Sequence, residues 1–363
     1  MSDPSKVVVI SPDGVDLDPA IHGAKAVGLQ RLLRAGLAVP PALVVPIGAP
    51  IDLDHLTDAI ADAGLGERIT VRSAGPVSLP GALDTMVDIE SAALGTALLA
   101  VRASADSARA HATAAALGHA APQTAVIVQR HVDTIAGPHA GAGAATSRDP
   151  VSGAPGAVGS FVWQRNGSAL MSGAADAVPL GDLATGLETV HRQLVDDLAR
   201  LDDDHEAPVE IEFAVEQGRL WYLQLRTFDM VVPMTPPLPA GATIVAVGTP
   251  ASAGTARGRV HVDVDDALDA VDRGETVVLV RATTSPADVA AMVRSAAVVT
   301  ERGSRESHAA VVARSLGIPA VVGVEALVIA DDHVGFGAHR VPVGAEVIVD
   351  GTHGHIARAV NDG

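Results

Sequence analysis

The sequence predicts an α/β protein built in two parts, and three observations carry that prediction. The chain has 363 residues, 48% of them apolar, enough for two or three domains with buried cores. Beyond about residue 242, short β-rich runs alternate with helical ones. Between the two parts, residues 231–241 hold Pro233, Pro236, Pro237 and Pro239, which suits an extended, semi-rigid connector.

The elements follow in order. Residues 6–10 read as a short strand. Residues 24–35 place Ala26, Leu29 and Leu33 at helical spacing and stop at Gly36. Pro40-Pro41 breaks the chain before a strand at 42–45. A second amphipathic helix fits 52–63. Residues 69–72 form a strand running into the turn Ser73-Ala74-Gly75-Pro76. The Ala-rich stretch 91–116 reads as one helix, and 125–128 as an apolar strand. From 137 to 159 glycine recurs among small residues, which predicts a loop or hairpin whose backbone approaches something closely. A helix fits 183–201. Residues 209–215 and 219–225 flank Glu-Gln-Gly, a hairpin signal. In the second part, strands fit 259–264, 276–280, 297–300, 320–322 and 346–350. Helices fit 265–272, 286–295 and 308–315.

Composition excludes several classes. There is no cysteine, so disulfide scaffolds, thiol nucleophiles and thiolate-bound zinc are out. The formal charge of −18 argues against nucleic acid or an anionic membrane as partner. Two Trp, one Tyr and four Phe leave few platforms for stacking bases. The longest apolar stretch, 35–51, carries Pro40, Pro41, Pro46 and Pro50 and cannot be a continuous spanning helix. The N-terminus does not read as a signal peptide, so the expectation is a cytoplasmic protein. Of 25 basic residues, only Lys6 and Lys25 are lysine. In a chain that uses arginine almost everywhere, a retained lysine points to a need for a compact charge.

One segment carries most of the chemistry. In residues 300–323 a strand ends in a polar loop with Gly303, and His308 opens a helix. The start of a helix offers backbone N–H groups and a positive dipole end. It stabilises an anion, including a phosphoryl group carried on the imidazole, and it favours the neutral ring a nucleophile requires. A surface histidine near a helix cap has the same local sequence. In the first part, Glu210 and Glu212 alternate by two and face one side of a strand. With Gln224 on the partner strand they offer hard oxygen ligands for Mg²⁺. Ile211, Phe213 and Val215 between them also fit an ordinary strand with one solvated face. Lys25 and Arg72 suit phosphate oxygens, one as a point charge and one as a fork. Arg226, two residues beyond Gln224, could stabilise charge on a transferred phosphoryl group.

The segment 300–323, together with Thr284-Ser285-Pro286-Ala287-Asp288, resembles the phosphohistidine motif of the PEP-utilising enzymes: pyruvate phosphate dikinase, PEP synthase and rifampin phosphotransferase. Four earlier blocks resemble the ATP-grasp domain of the same family, in order. They begin at Gly23-Ala-Lys25, at Val71-Arg72-Ser73 with Val77 to Thr85, at Gly141-Ala-Gly143 with Arg148-Asp149-Pro150, and at Glu210-Ile-Glu212 with Gln224 and Arg226. The resemblance implies an ATP-grasp domain over 1–228, a linker over 229–243 and a swivelling β/β/α phosphohistidine domain over 244–363. It implies ATP and Mg²⁺ as cofactors, with Glu212 and Gln224 on the metal and His308 and Arg226 as catalytic groups. ATP contacts then fall on Lys25, Arg72, Gly81, Asp84, Thr85, Glu210, Glu212, Gln224 and Arg226. Gln129, His131 and Val132 would form the hinge that meets adenine. Gly141 and Gly143 would belong to a lid over the phosphates. The partner is a small-molecule phosphoryl acceptor or a separate acceptor chain.

Departures from the family pattern are Glu306 in place of Thr two residues before the histidine, Gly303-Ser304 for Gly-Gly, and Gly159-Ser160 for Gly-Glu. Nothing follows Gly363, so the expectation is a chain without the pyruvate/PEP barrel. Glu306 is expected to pair with Arg302 or Arg305, in the same loop. Two functions compete: an ATP-dependent phosphotransferase, and a non-catalytic nucleotide-binding regulator or phosphocarrier.

Overall fold

The computed structural model describes residues 6–79, 81–167, 170, 177–228 and 237–358. Residues 229–236 of the expected linker lie outside them, as does Pro80. The chain divides into two compact units. The first takes Met1–Ala145, Trp163–Asn166 and Leu183–Phe228. The second takes Asp229–Gly363 together with two earlier segments, Thr146–Val162 and Gly167–Asp182. A simple cut at 228 therefore misses two insertions.

The first unit opens with β1 (Val8–Val9), the single turn α1 (Pro19–His22) and α2 (Ala24–Arg34). On α2 the fully buried leucines are Leu29 and Leu32, whereas Leu33 is only half-buried. Next come β2 (Ala42–Val45), α3 (Leu53–Asp62), β3 (Arg68–Ala74) and β4 (Thr85–Glu90). The predicted helix 91–116 is broken into α4 (Leu94–Ala103) and α5 (Ala108–Ala116). Two serines cause the break. Ser107 caps α5 by accepting from the Ala110 N–H, and the Ser104 hydroxyl accepts from the Asp84 N–H at 3.0 Å. With β5 (Ala125–Arg130), the strands form a sheet of order β1-β2-β5-β3-β4. Leu43, Ile69, Val71, Val126 and Val128 of this sheet pack against Leu56 and Leu98 of the covering helices.

The glycine-rich region forms β6 (Gly141–Arg148) and β7 (Pro155–Trp163), so the hairpin alternative holds. Most of the expected lid is thus strand, with 141–147 buried. β8 (Val178–Pro179) pairs antiparallel with β7. A long helix α6 (Leu183–His205) precedes the hairpin β9 (Val209–Glu216) and β10 (Arg219–Thr227). Leu198 and Leu201 of α6 are fully buried.

The second unit holds β11 (Thr243–Val247), β12 (Thr249–Ser252), β13 (Thr255–His261), α7 (Val264–Asp272) and β14 (Val277–Arg281). It continues through α8 (Val289–Arg294), β15 (Ala297–Thr300), α9 (His308–Leu316) and β16 (Ala320–Val322). A small meander follows, β17 (Leu327–Ile329), β18 (His333–Phe336) and β19 (His339–Pro342). The last two strands are β20 (Glu346–Asp350) and β21 (His355–Arg358). Eight strands form one sheet, β11-β21-β20-β13-β14-β15-β16-β12. Val280, Val299 and Val347 on one face pack against Val334, Phe336 and Val341 of the meander. Leu279 and Val298 on the other face meet Ala267, Met292, Ala310 and Val312 of the helices. The result is the β/β/α layering that the sequence predicts. β13 to β16 are parallel, so their C-terminal ends share one edge, from which the 301–307 loop and α9 emerge.

Candidate functional site

In the first unit, two glycines determine where Lys25 sits. Gly23 has φ +81°, and a Cβ there would lie 2.0 Å from the Ala74 carbonyl oxygen. Ala24 N–H donates to the Gly75 carbonyl at 2.8 Å. Further along α2, a Cβ on Gly28 would lie 2.4 Å from the Leu225 carbonyl oxygen. Only glycine permits these approaches. They lay the start of α2 against the end of β3 and the flank of β10, which carry Arg72 and Arg226.

The hairpin register places the remaining groups. Glu212 lies opposite Gln224, and Glu210 opposite Arg226. The ladder is interrupted between Tyr222 and Gln224, which leaves Leu223 as an inserted residue. The Leu223 carbonyl oxygen accepts from Arg72 Nη1 at 2.7 Å. Arg72 Nη2 donates to Glu212 Oε2 at 2.7 Å and reaches Gln224 Oε1 at 3.5 Å. Arg226 Nη2 donates to Glu210 Oε1 at 2.5 Å. β9 is buried on both faces, and the Glu210 side chain is 6% exposed. The solvated-strand alternative does not hold for Glu210, while Glu212, 32% exposed, is tied down by Arg72.

The electrostatics follow from crowding. Burial, reinforced by the Arg72 charge, lowers the Lys25 pKa to about 8. Burial works against the Glu212 carboxylate, but Arg72, Lys25 and Arg226 outweigh it and hold its pKa below the usual value. Three cations face two carboxylates, so the cluster carries one surplus positive charge. That surplus suits a polyanion. Oxygens of Glu212 and Gln224 converge on one guanidinium nitrogen, a position a cation already fills. This donor set fits Mg²⁺, which takes one or two protein oxygens and completes its shell from phosphate and water. Among the described residues no group of three or more His, Asp or Glu could hold a metal unaided.

The other sequence candidates spread over the same unit. Asp84 pairs with Arg109 at 2.5 Å, and Thr85 lies opposite Arg72 on β4. Gly81 is exposed, with φ +67°. Gln129 is buried and donates to the Pro40 carbonyl at 3.3 Å. His131 Nδ1 lies 3.2 Å from Thr70 Oγ1, and its Nε2 is 3.4 Å from Asp88. Burial lowers the His131 pKa against the opposing pull of Asp88. Val132 packs with Ala214 and Trp221. Gly141 and Gly143 lie inside β6, which neighbours β9 in its sheet. Sequence reading missed Arg109 and the Leu223 carbonyl. It also missed Trp221, which lies between the guanidinium groups of Arg130 (4.6 Å) and Arg219 (3.9 Å). Its rarity was the available signal, since the chain has only two tryptophans.

In the second unit, His308 is the first residue of α9 and is 9% exposed. No side chain caps α9, so its first-turn N–H groups keep their orientation toward the imidazole end. His308 Nδ1 lies 3.0 Å from Thr284 Oγ1. Thr284 precedes a capping box: Ser285 Oγ accepts from the Ala287 N–H, and Asp288 bonds back to the Ser285 N–H. Arg305 pairs with Asp149 at 2.6 Å, not with Glu306. Asp149 already caps the turn after β6, accepting from Val151 and Ser152 N–H, and this concentrates negative charge there. Burial opposes ionisation of Asp149, but those backbone N–H groups and Arg305 keep its pKa low. Glu306 is 3% exposed.

Each unit therefore defines a chemical class. The first is an α/β unit with a cationic, carboxylate-bearing pocket for a polyanion. The second presents a helix-borne histidine on a β/β/α scaffold. Residues 274–354 match the family model of the PEP-utilising enzyme, mobile domain. The chain is 28% identical to the pyruvate, phosphate dikinase of Clostridium symbiosum, over 64% of this chain and 31% of that protein. It is 30% identical to the chloroplastic enzyme of Flaveria bidentis, over 64% of this chain and 28% of that protein. Residues 274–354 thus match the mobile domain of the PEP-utilising enzymes, and the chain is similar to pyruvate, phosphate dikinases, spanning under a third of the length of these curated relatives. Among solved structures, it is similar to a D-alanyl-alanine synthetase A of Vibrio cholerae, with TM-score 0.37 and 17% identity over 58% of this chain and 56% of that one. Among the described residues no helix is long and apolar enough to cross a membrane.

Proposed function

We propose that this chain is an ATP-dependent phosphotransferase of the dikinase type. His308 takes a phosphoryl group from ATP and passes it to a small-molecule acceptor or a separate acceptor chain. The observation that carries this reading is the setting of His308, at the start of a nine-residue helix with Nδ1 against the Thr284 hydroxyl. With Nδ1 engaged, Nε2 is the attacking nitrogen. Its lone pair forms the N–P bond while the P–O bond to the nucleotide breaks, and the leaving oxygen keeps the electron pair. Thr284 Oγ1 accepts the Nδ1–H and stabilises positive charge growing on the ring. The N–H groups of α9 favour the incoming phosphoryl oxygens.

In the first unit, Lys25, Arg72 and Arg226 neutralise phosphate oxygens. Arg72 exchanges Glu212 for phosphate when ATP enters. Glu212 and Gln224 would hold a magnesium ion, which supplies charge neutralisation between the phosphates.

The test is labelling with β- and γ-labelled ATP. Acid-labile, base-stable protein label is expected on the native chain and none on His308→Ala, which retains ATP binding. Label persisting on His308→Ala overturns the assignment. One observation favours the second reading, a nucleotide-binding regulator or phosphocarrier. The buried Glu306 sits two residues before His308, where its charge opposes an incoming phosphate. That reading predicts ATP binding with no label on the native chain.

A further inference from the structure

Arg281 ends β14, and its side chain turns away from sheet duties. Its Nη1 donates to the Val262 carbonyl at 2.6 Å, and its Nε lies 2.9 Å from Asp288 Oδ1, an ion pair rather than an aligned hydrogen bond. The other Asp288 oxygen accepts from the Ser285 N–H at 2.7 Å and from the Ser285 hydroxyl at 2.8 Å. The Asp288 side chain is 4% exposed. Burying a carboxylate that deeply carries a desolvation cost that a neighbouring cation offsets, and Arg281 is the cation paired with it. Ser285 directly follows Thr284, whose hydroxyl meets His308 Nδ1 at 3.0 Å. A threonine hydroxyl has one side-chain torsion, so its position follows its backbone. That backbone is pinned one residue later by the Asp288 carboxylate.

We propose that Arg281 is a positioning residue for His308: through Asp288 and Ser285 it holds Thr284 in place, and so sets the ring orientation and Nδ1 hydrogen bond of the histidine. No residue in this chain of contacts beyond Thr284 touches the imidazole. The proposal deepens the phosphotransferase reading and rests on it for its rate measurement, but not for its spectroscopic one.

The test compares Arg281→Met, Arg281→Lys, Thr284→Val and the double variant Arg281→Met/Thr284→Val. Arg281→Met should lower the rate of His308 labelling from ATP about tenfold. Arg281→Lys should recover to within about threefold of the native rate. In the Thr284→Val background, Arg281→Met should change the rate by less than about twofold, because the two act through one contact. The ring of His308 is also followed by nitrogen NMR titration in the unlabelled protein. Arg281→Met should shift the His308 titration and Nδ1 resonance in the same sense as Thr284→Val, with no further shift in the double variant. If Arg281→Met does not fold, Asp288→Asn carries the same measurements. A native-like His308 titration in Arg281→Met or in Asp288→Asn, or equal rate losses with and without Thr284, overturns the proposal. Failure of the native chain to label at all would sink the phosphotransferase reading instead, and the ring titration would still decide the role of Arg281.

Discussion

In the first unit, the cationic cluster draws Lys25 from α2, Arg72 from β3, Glu212 from β9 and Arg226 from β10, and apart from the β9/β10 hairpin its pairings run between elements distant in sequence. In the second, Arg281, Thr284, Asp288 and His308 come from one stretch of chain, 281–308, in which β14, α8, β15 and α9 follow one another. The first pocket is held together by opposite charges that need one another. The second is held by caps and one anchored carboxylate. Removing a charge in the first should therefore cost both fold and function. Removing His308 should cost chemistry and little fold.

The sharpest test of this contrast is Glu212→Ala. It should reduce labelling of His308 by about a hundredfold or more while adenine nucleotide affinity changes only several-fold. Equal losses in both would mean that Glu212 shapes the pocket without acting on the phosphates. Arg72→Met should destabilise the first unit by ~2 kcal/mol, because it removes the hydrogen-bonded partner of the half-buried Glu212 carboxylate. Denaturant unfolding measures this, and adding Glu212→Leu should recover most of the loss. A neutral Arg72→Met would break the claim that the first pocket is a mutually dependent network.

Lys25 gives a smaller, pH-dependent effect. Its pKa in the free protein is about 8, and phosphate oxygens beside it should raise that value. The bound state then holds more protons, so ATP affinity is full below pH 8 and falls as pH rises through it. Calorimetry in buffers of different ionisation heats should show proton uptake on ATP binding near pH 8.5, absent in Lys25→Met. No uptake would place the ammonium away from the phosphates. The smallest expected change is Glu306→Thr. Two charges ~6 Å apart at an effective dielectric of ~20 repel by about 3 kcal/mol before screening. We expect the labelling rate to rise less than about fivefold. A gain of about a hundredfold or more would show a braked centre and favour the regulator.

Particular elements show what could be read early. The hairpin β9/β10 and the start of α9 follow from alternation, a Gly-containing turn and the polar loop before His308. The helix over 91–116 fails because Ser107 caps a new helix locally and Ser104 serves the distant Asp84 backbone, and no helical periodicity reports a partner across the fold. The glycines of 137–153 mark a strand pair, with 141–147 buried within β6. Small residues permit close packing as readily as mobility. Arg305 turns to Asp149 rather than Glu306 for the same reason, since its partner lies across the chain.

Local sequence alone determined the histidine at a helix start, the capping box that follows Thr284, and the one-sided placement of Glu210 and Glu212. Those depend on residues a few positions apart, and their physics is complete within a turn or a strand. Only the tertiary structure decided that Gly23 and Gly28 press Lys25 against Arg72, and that the inserted Leu223 turns its carbonyl to that arginine. It alone decided that Arg281 reaches Asp288 beneath Thr284. Those outcomes depend on distances between elements, and distance across a fold is set by packing that no local pattern encodes.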